Sequence, residues 1–380
     1  MRRKTEALEL PLDSPGFDAV TVLRLIRSRR VGPTTFHRLI AEHHSPAAAL
    51  AALPEVARAA GLSDYAPCPE GVARAELAAG RKAGARLLFW CDPLYPAALR
   101  EISDAPPLLW LRGNLDALSA PKIAVIGARN ASSLGLRMAR ALASGLGRAG
   151  LCTVSGLARG IDTAVHEASL DTGTIAVMAG GIDQIYPAEN AELAEKITAR
   201  GLLLSEQPPG LAPIARHFPA RNRIISALAQ ATVVAEAAER SGSLITARNA
   251  LDQGREVMAV PGHPMDARAG GCNNLIRDGA TLVRSAEDVL AALTISRPLA
   301  PVAEPPATAS NLIADAEAET QRQSQIRAKI LNRLNLSPTD ENALMRDIGA
   351  APSDVAPAVL ALELSGELTR LPGGMMARTS

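Results

Sequence analysis

The fold is decided by residues 122–132, which read KIAVIGARNAS. The apolar run Ile123–Ile126 predicts a buried strand, and the glycine and polar residues after it predict a turn. In the next segment an apolar residue recurs every four positions on one helix face, at Leu134, Met138, Leu142 and Leu146. Further apolar runs alternate with helical segments, at 152–154, 174–178, 202–204, 232–235, 257–260 and 281–283. This alternation predicts a doubly wound α/β domain over about 120–295, with a parallel sheet covered on both faces.

The segments on either side of this core differ from it. Residues 17–83 are rich in Ala, Leu and Arg and are interrupted by Gly and Pro, which predicts a small bundle of short helices. An apolar strand at 87–90 and a stretch punctuated by prolines lead into the core. Residues 297–308 contain four prolines, a composition typical of a linker.

Beyond the linker, three helical segments and a hairpin closed by a Pro-Gly-Gly turn follow in the order of a winged helix. The helices are predicted around 326–334, 341–348 and 352–364, and the hairpin strands at 367–371 and 375–378. We therefore expect a helical domain at 1–85, the core at 86–295, a linker at 296–317 and a winged helix at 318–380.

The composition excludes several classes of protein. Because 40 Lys and Arg face 39 Asp and Glu, the formal net charge is only +1, which excludes binding through bulk positive charge. Only 2% of the residues are aromatic, which argues against an RNA-recognition sheet or an oligonucleotide-binding barrel. The four scattered cysteines form no C-x-x-C pair, and no apolar run is long enough to span a bilayer. We expect a cytoplasmic protein with no disulfide framework and no membrane contact.

The loops after the predicted strands are polar and rich in glycine. They are residues 127–132, 155–162, 179–183, 241–243 and 261–263. In open α/β sheets ligands bind beyond the carboxyl ends of the strands, and glycine-rich turns before helices offer backbone N–H groups to phosphate. The alternative is that these glycines only make tight turns. Five such loops at one sheet edge favour a binding site.

The chain lacks the common cofactor and catalytic motifs. There is no G-x-G-x-x-G, no P-loop, no H-E-x-x-H and no G-x-S-x-G. Asp162 and His166, four residues apart, could share a metal or a proton, but such pairs more often cap a helix. Glu236, at the end of a strand, could act as a base. We expect no cofactor, no metal site and no catalytic centre.

Residues 215–223, which read ARHFPARNR, form a local positive patch in a chain of balanced charge. Arginine side chains bind phosphate oxygens in a bidentate manner, and Phe218 could stack on a base. The alternative is that Arg221 or Arg223 pairs with a carboxylate such as Glu236 and braces the loop.

Together these segments resemble the DNA-processing protein A family (DprA, also called Smf). The resemblance covers about 90–290 and rests on ordered motifs. They are V-I-G-A-R at 125–129, V-S-G-L-A-R-G-I-D at 154–162, F-P-A-R-N-R-I-I at 218–225, S-G-S-L-I-T-A at 241–247 and A-V-P-G at 259–262. It implies an extended Rossmann-like core with an N-terminal helical (SAM-like) domain and a C-terminal winged helix. It also implies a homodimer that binds and protects single-stranded DNA and helps to load the RecA recombinase during natural transformation.

The resemblance also implies a DNA-binding site. Its positions in this chain are Arg129, Arg216, Phe218, Arg221, Asn222 and Arg223, with Ser241, Gly242 and Ser243 in a later loop. A further basic position falls at Arg255, and a Gly/Asn backbone clamp falls at Gly271 and Asn273. Some relatives have a lysine where this chain has Ala215, and we assign its part to Arg216.

The C-terminal region is expected to contact protein rather than DNA. Residues 291–380 carry 8 basic and 10 acidic residues, and the predicted recognition helix at 352–364 has no Lys or Arg. Two other functions stay open for the whole chain. One is a nucleotide-hydrolysing enzyme of the lysine-decarboxylase-like (LOG) type, although its P-G-G-x-G-T-x-x-E signature is absent. The other is a scaffold that recruits partners through its terminal domains.

Overall fold

The computed structural model describes residues 18–296 except 63, residues 324–334 and 339–340, the segments 367–371 and 375–378, and scattered positions between 344 and 365. Its contacts divide the chain into two compact units, Met1–Arg297 and Pro298–Ser380. Among the described residues, no helix is both long and apolar enough to cross a membrane. The predicted linker lies almost wholly outside the described residues.

The described part of the first unit opens with four short helices. They are α1 (Ala19–Arg27), α2 (Pro33–His43), α3 (Pro46–Ala59) and α4 (Glu70–Lys82). The Asp18 side chain caps α1 by accepting from the N–H groups of Val20 and Thr21, and the Ser45 side chain caps α3 in the same way. Prolines at the first positions of α2 and α3 fit the helix geometry without losing a hydrogen bond. The helical bundle is therefore present as predicted.

The bundle packs directly on the core. The rings of Phe36 and Trp90 meet edge to face with centroids 5.0 Å apart. The buried Glu76 carboxylate accepts two hydrogen bonds from Arg27, at 2.9 and 2.8 Å, and one from Trp110 Nε1 at 3.1 Å. Because these partners come from α1, α4 and the sheet, the helical segment and the core form one compact body.

The described residues of the first unit form a sheet of nine strands. They are β1 (Arg86–Phe89), β2 (Leu108–Gly113), β3 (Lys122–Gly127), β4 (Cys152–Ser155), β5 (Thr174–Val177), β6 (Leu202–Ser205), β7 (Ala231–Glu236), β8 (Glu256–Ala259) and β9 (Thr281–Leu282). Their order is β1-β2-β6-β5-β4-β3-β7-β8-β9. Strands β3 to β9 are mutually parallel. Each apolar run that predicted a strand forms one, with ends shifted by one or two residues.

One edge of the sheet, before the domain predicted at 120–295, is antiparallel. Strand β2 pairs antiparallel with β6, and β1 pairs antiparallel with β2. The sequence did not predict β2, because the prolines at 106 and 107 suggested an irregular lead-in. Those prolines stand just before the strand, where the missing N–H does not interrupt the ladder. The buried side chains at 108–111 are apolar on both faces of β2, as expected of a strand inside a covered sheet.

Helices cover both faces of the sheet. They are α5 (Ala97–Arg100), α6 (Ser133–Arg148), α7 (Ile161–Ser169), α8 (Ala191–Arg200), α9 (His217–Leu228), α10 (Ser243–Asp252), α11 (Gly270–Arg277) and α12 (Ala286–Ser296), with 3-10 turns at Leu115–Leu118 and Ala188–Asn190. Alternate residues of β3 point to opposite faces: Ile123 packs with Leu142 of α6, whereas Ala124 lies in the cluster that contains Ile224 of α9. Because strands β3 to β9 run in the same direction, the loops that follow them meet at a single edge of the sheet.

The second unit contains a helix at 324–333 and a small antiparallel sheet. Its strands are β10 (Thr339–Asp340), β11 (Leu368–Leu371) and β12 (Met375–Arg378), in the order β10-β12-β11. Ile330, Val355 and Met376 are buried together in its core. The predicted first helix and hairpin are present, whereas the helices predicted at 341–348 and 352–364 fall mostly outside the described residues.

Candidate functional site

Two adjoining depressions lie along the carboxyl ends of the parallel strands. The first, which we call the cavity, has a volume of about 320 Å³, and the second, which we call the groove, about 760 Å³. They share the lining residues Arg129, Asn130, Ala158, Phe218 and Arg221. The loops after β3 and β4 and the start of α9 therefore converge on one site.

Arg129 stands between the cavity and the groove. Its guanidinium carbon lies 4.9 Å from the centroid of the Phe218 ring, a cation–π distance. The edge of Phe218 also meets Tyr186, with ring centroids 5.6 Å apart. Arg129 is exposed, and no ion pair among the described residues involves it. Its positive charge is thus held in place by an aromatic ring and stays open to an anion.

Arg221 is buried at the base of both depressions. Its Nη1 donates hydrogen bonds to the carbonyl oxygens of Gly156 and Val177, at the ends of β4 and β5. A Cβ at residue 156 would lie 2.5 Å from this guanidinium, so only glycine fits there. Burial lowers the pKa of Arg221 to about 10, while the Asp162 carboxylate opposes the shift and Arg129 adds to it. Arg221 therefore remains a cation at neutral pH.

Asp162 and His166 of α7 hold the loop after β4. The Asp162 carboxylate accepts from the N–H groups of Gly156 and Ala158 at 3.1 and 3.2 Å, and His166 Nε2 accepts from Leu157 N–H at 3.3 Å. Leu157 has a φ of +56°, a left-handed conformation that these bonds stabilise. Burial raises the pKa of Asp162, and burial together with Arg221 lowers that of His166 to about 3. The pair thus holds the loop after β4 in its shape.

The expectation that amides of these loops bind phosphate needs correction. The three N–H groups at 156–158 are already bonded to Asp162 and His166. After β3, Ala128 N–H donates to the Glu236 carbonyl at 2.8 Å, and Ser132 N–H donates to the Glu236 carboxylate at 2.9 Å. These amides therefore already have partners within the protein, and the candidate base Glu236 is engaged at the start of α6.

The far wall of the groove is the loop between β7 and α10. Ser241, Gly242 and Ser243 line it, and the two serine hydroxyl oxygens are 2.7 Å apart. Arg240 and Arg268, both exposed, line the same groove. Sequence reasoning did not select these two arginines, because they are far apart in the chain. The only signal was that Arg240 directly precedes a glycine-rich loop at a strand end.

The near wall comes from the start of α9. Asn222 lines the groove, as do Ala215 and Phe218 on either side of Arg216. Arg216 is exposed at the residue before α9 and does not itself line either depression. The structure therefore brings together Arg129, Phe218, Arg221, Asn222 and the serine loop, with Arg216 at their border.

Arg223 does not join this site, contrary to the sequence-based expectation. Its Nε donates to Asp104 and its Nη2 to Glu206, both at 2.9 Å, and its side chain is only 11% exposed. Although burial disfavours its charge, the two carboxylates outweigh that effect and raise the pKa of Arg223. This arginine braces α9 against the segment before β2 and the end of β6. The predicted alternative of a carboxylate brace applies to it, with partners other than Glu236.

Arg255 and the residues of the expected clamp also make internal contacts. Arg255 precedes β8, so it lies at the amino edge of the sheet, opposite the groove, where it pairs with Glu101 at 2.6 Å. Gly271 N–H donates to the Ala237 carbonyl, and Asn273 bonds both the N–H and the carbonyl of Gly262. Gly271 and Asn273 thus bond the protein's own backbone. Among the described residues, no cluster of three or more His, Cys, Asp or Glu side chains is placed to hold a metal ion.

Three family models match successive parts of the chain. They are DNA recombination-mediator protein A over residues 86–294, the DprA-like N-terminal HHH domain over 17–79, and the DprA winged helix domain over 314–374. The fold class, with an N-terminal helical domain, a sheet-based core and a C-terminal winged helix, agrees with these matches.

The chain is similar to proteins named DNA processing protein DprA and protein Smf. The chain is 50% identical to the DNA processing protein DprA of Streptococcus pneumoniae over 202 residues, which is 53% of this chain and 71% of that protein. It is 37% identical to the protein Smf of Escherichia coli over 283 residues, 74% of each chain. The X-ray structure of the S. pneumoniae protein superposes with a TM-score of 0.57 at 37% identity, over 73% of this chain and 93% of that one.

A second solved structure, of DNA processing protein A from Helicobacter pylori, matches with a TM-score of 0.52 at 28% identity. It covers 57% of this chain and 99% of that chain. That structure is described as giving insight into a single-stranded DNA binding mode of the H. pylori protein.

Replacing His166 by Gln should make the free energy of unfolding depend less steeply on pH between about pH 3 and 6.5. The pKa of His166 is about 3 in the folded protein against 6.5 for an ordinary histidine. Between these values the unfolded chain binds a proton that the folded chain does not. This contribution to stability is complete above pH 6.5 and is lost as the pH falls towards 3, by up to about 1.4 kcal/mol per pH unit. Urea unfolding of both proteins across this pH range measures the difference. The exposed His263→Gln variant is the control, and identical slopes for wild type and His166→Gln would contradict the assignment.

Replacing Arg223 by Ala should lower the free energy of unfolding by about 2 kcal/mol, because the half-buried Glu206 carboxylate loses its partner. The control is Arg112→Ala, whose partner Glu195 is 63% exposed, with an expected loss below about 1 kcal/mol. Denaturant titration measures both, and equal losses would show that Arg223 is not a brace.

Proposed function

The chain belongs to the DNA recombination-mediator protein A family, and from this premise we propose that it binds single-stranded DNA along the carboxyl edge of its sheet. The observation that carries the proposal is the unpaired Arg129 held over Phe218 at the border of cavity and groove. A cation beside a half-buried aromatic ring suits a nucleotide, which has an anionic phosphate and a flat base.

The charges around the groove support a polyanionic ligand. Arg129, Arg221, Arg240 and Arg268 line it, and among the described residues Asp162 is the one carboxylate in the lining. That carboxylate is buried and already accepts two loop N–H groups. The accessible charge is therefore positive, and arginines bound to phosphates confer affinity without sequence information.

The groove favours a single strand over a duplex. Phe218 is half-buried and contacts both Arg129 and Tyr186. A base must therefore separate from the neighbouring bases of its strand to reach this ring. An unpaired strand does this at little cost, whereas a duplex must break a pair first. The single-stranded DNA binding described for the H. pylori relative supports the same choice.

We also propose for this chain the more specific roles that the family resemblance implies. The protein would protect incoming single-stranded DNA and load the RecA recombinase onto it during natural transformation, as a cytoplasmic homodimer. One stacking ring per protomer gives modest affinity, and a dimer that engages one strand twice raises it through effective concentration. We propose that the C-terminal winged helix serves protein contacts in this process.

We propose that the chain acts as a binding protein and not as a LOG-type nucleotide hydrolase. The acidic and basic groups considered for catalysis have other partners: Asp162 and His166 hold loop amides, and Glu236 binds Ser132. These contacts engage all three groups within the protein, including Asp162, whose carboxylate belongs to the groove lining.

Replacing Arg129 by Ala should weaken binding to oligo-dT by about tenfold or more, since it removes a phosphate contact and the support of Phe218. Arg129 is exposed and outside any ion pair among the described residues, so the melting temperature should stay near that of wild type. Fluorescence anisotropy measures the affinity. The matched control is Arg200→Ala, an exposed arginine before β6, at the opposite edge of the sheet. A similar loss for both variants would refute a site at the carboxyl edge.

Binding should fall steeply with salt. If Arg129, Arg216, Arg240 and Arg268 each neutralise one phosphate, the logarithm of the association constant should fall with the logarithm of salt concentration with a slope of about −3. Arg240→Ala should make that slope shallower by about 0.7, while Arg200→Ala leaves it unchanged. A slope near zero for the wild type would contradict binding through phosphates.

A further inference from the structure

The cavity differs from the groove in shape and chemistry. Tyr186, Pro187, Pro213 and Phe218 form an apolar and aromatic wall, and the backbone of Gly180 forms part of the floor. A Cβ at residue 180 would lie 2.8 Å from the Leu211 carbonyl and from the Pro213 ring, so the floor has no room for a larger residue. The wall is therefore built to contact a flat, largely apolar group.

The other side of the cavity is cationic. Arg129, Arg159 and Arg221 line it, and no Asp or Glu belongs to its lining within the described part of the chain. Arg159 is engaged with Glu189 at 2.6 Å, which leaves Arg129 and Arg221 as the cations for a ligand. The residue Arg221 is 6% exposed, and its buried Nε has no hydrogen-bond partner among the described residues.

A buried cation with an unused donor is costly unless an anion compensates it. Asp162 supplies part of that compensation, but its oxygen is shared with two loop N–H groups. A phosphate placed at Arg129 and Arg221 would supply the remainder. The volume of about 320 Å³ is at the lower end of the range for small-ligand sites and suits a ligand no larger than one nucleotide.

We propose that the cavity binds one nucleoside 5′-phosphate, with its phosphate at Arg129 and Arg221 and its base against Tyr186 and Phe218. This ligand has two sources, a free nucleoside monophosphate or the 5′-phosphorylated end of a DNA strand. A terminal phosphate carries up to two charges, against one for an internal phosphodiester, and so matches two arginines better. The second source rests on the proposed strand binding, and the first does not.

The test uses the full chain with four probes. Isothermal titration measures the affinity for dTMP and for thymidine, and anisotropy measures the affinity for oligo-dT with a 5′-phosphate and with a 5′-hydroxyl. We expect dTMP to bind at least tenfold more tightly than thymidine, and the 5′-phosphorylated strand to bind severalfold more tightly than the 5′-hydroxyl strand. The 5′-hydroxyl strand separately tests the proposed strand binding.

Tyr186→Ala is the diagnostic variant, because Tyr186 is 53% exposed and lines the cavity but not the groove. It should weaken dTMP binding about tenfold, the loss expected for one base–aromatic contact. Tyr65→Ala, in the segment before α4, is the control and should stay within twofold of wild type. Arg221→Lys, which keeps the charge, should weaken dTMP binding less than Arg221→Met.

Each outcome decides between the possibilities. Binding of dTMP with no preference for a 5′-phosphorylated strand supports a free nucleotide as the ligand. A preference for the phosphorylated strand without dTMP binding supports the strand end. Absence of both, or dTMP binding that Tyr186→Ala leaves unchanged, overturns the proposal. A failure of the 5′-hydroxyl strand to bind would overturn the strand-binding function and leave the dTMP result standing.

Discussion

The buried Arg221 guanidinium is the interaction on which the whole site depends. It binds the carbonyl oxygens at the ends of β4 and β5 from the first turns of α9, and it faces Asp162 of α7. The consecutive elements β4, α7 and β5 are thereby joined to the more distant α9 at one edge of the sheet. Because Asp162 also accepts the loop amides after β4, the same charge pair sets the shape of that loop. The positions of Arg129 and Phe218 above it follow from this arrangement.

The arginines near R-N-R have different roles because they lie on a helix. Arg221 and Arg223 are two residues apart, and each residue of an α-helix turns the side chain by about 100°, so the two point in nearly opposite directions. Arg221 therefore faces the carboxyl edge, while Arg223 reaches the carboxylates of Asp104 and Glu206. Sequence reasoning treated 215–223 as one patch. Had the sequence predicted that α9 begins at His217, the helical geometry would have placed the side chains of Arg221 and Arg223 on opposite sides of the helix.

Much of the fold could be predicted from local sequence, because apolar runs and helical periodicity are local signals. The strands of the parallel core, the N-terminal helices and the C-terminal hairpin all appear where their patterns indicate, and the predicted family resemblance is confirmed by the family models. Strand β2 was missed, since its partner β6 lies about ninety residues later and the prolines before it gave a stronger local signal. The Glu236 partner of the amides after β3 and the partners of Arg223 and Arg255 are likewise non-local, so no motif could reveal them.

A nearly neutral chain can bind a polyanion when its charges are segregated. At the amino edge of the sheet, Arg255 forms an ion pair with Glu101. At the contact with the helical bundle, Arg27 forms an ion pair with Glu76. At the carboxyl edge, Arg129 and its neighbours around the groove keep their charge open to solvent. Long-range attraction depends on this local excess and not on the total, because charges beyond a Debye length of about 8 Å are screened at physiological salt. Adding basic residues at the amino edge would therefore raise the isoelectric point and leave binding in the groove almost unchanged, whereas a single carboxylate introduced beside Arg129 would cancel most of its local field.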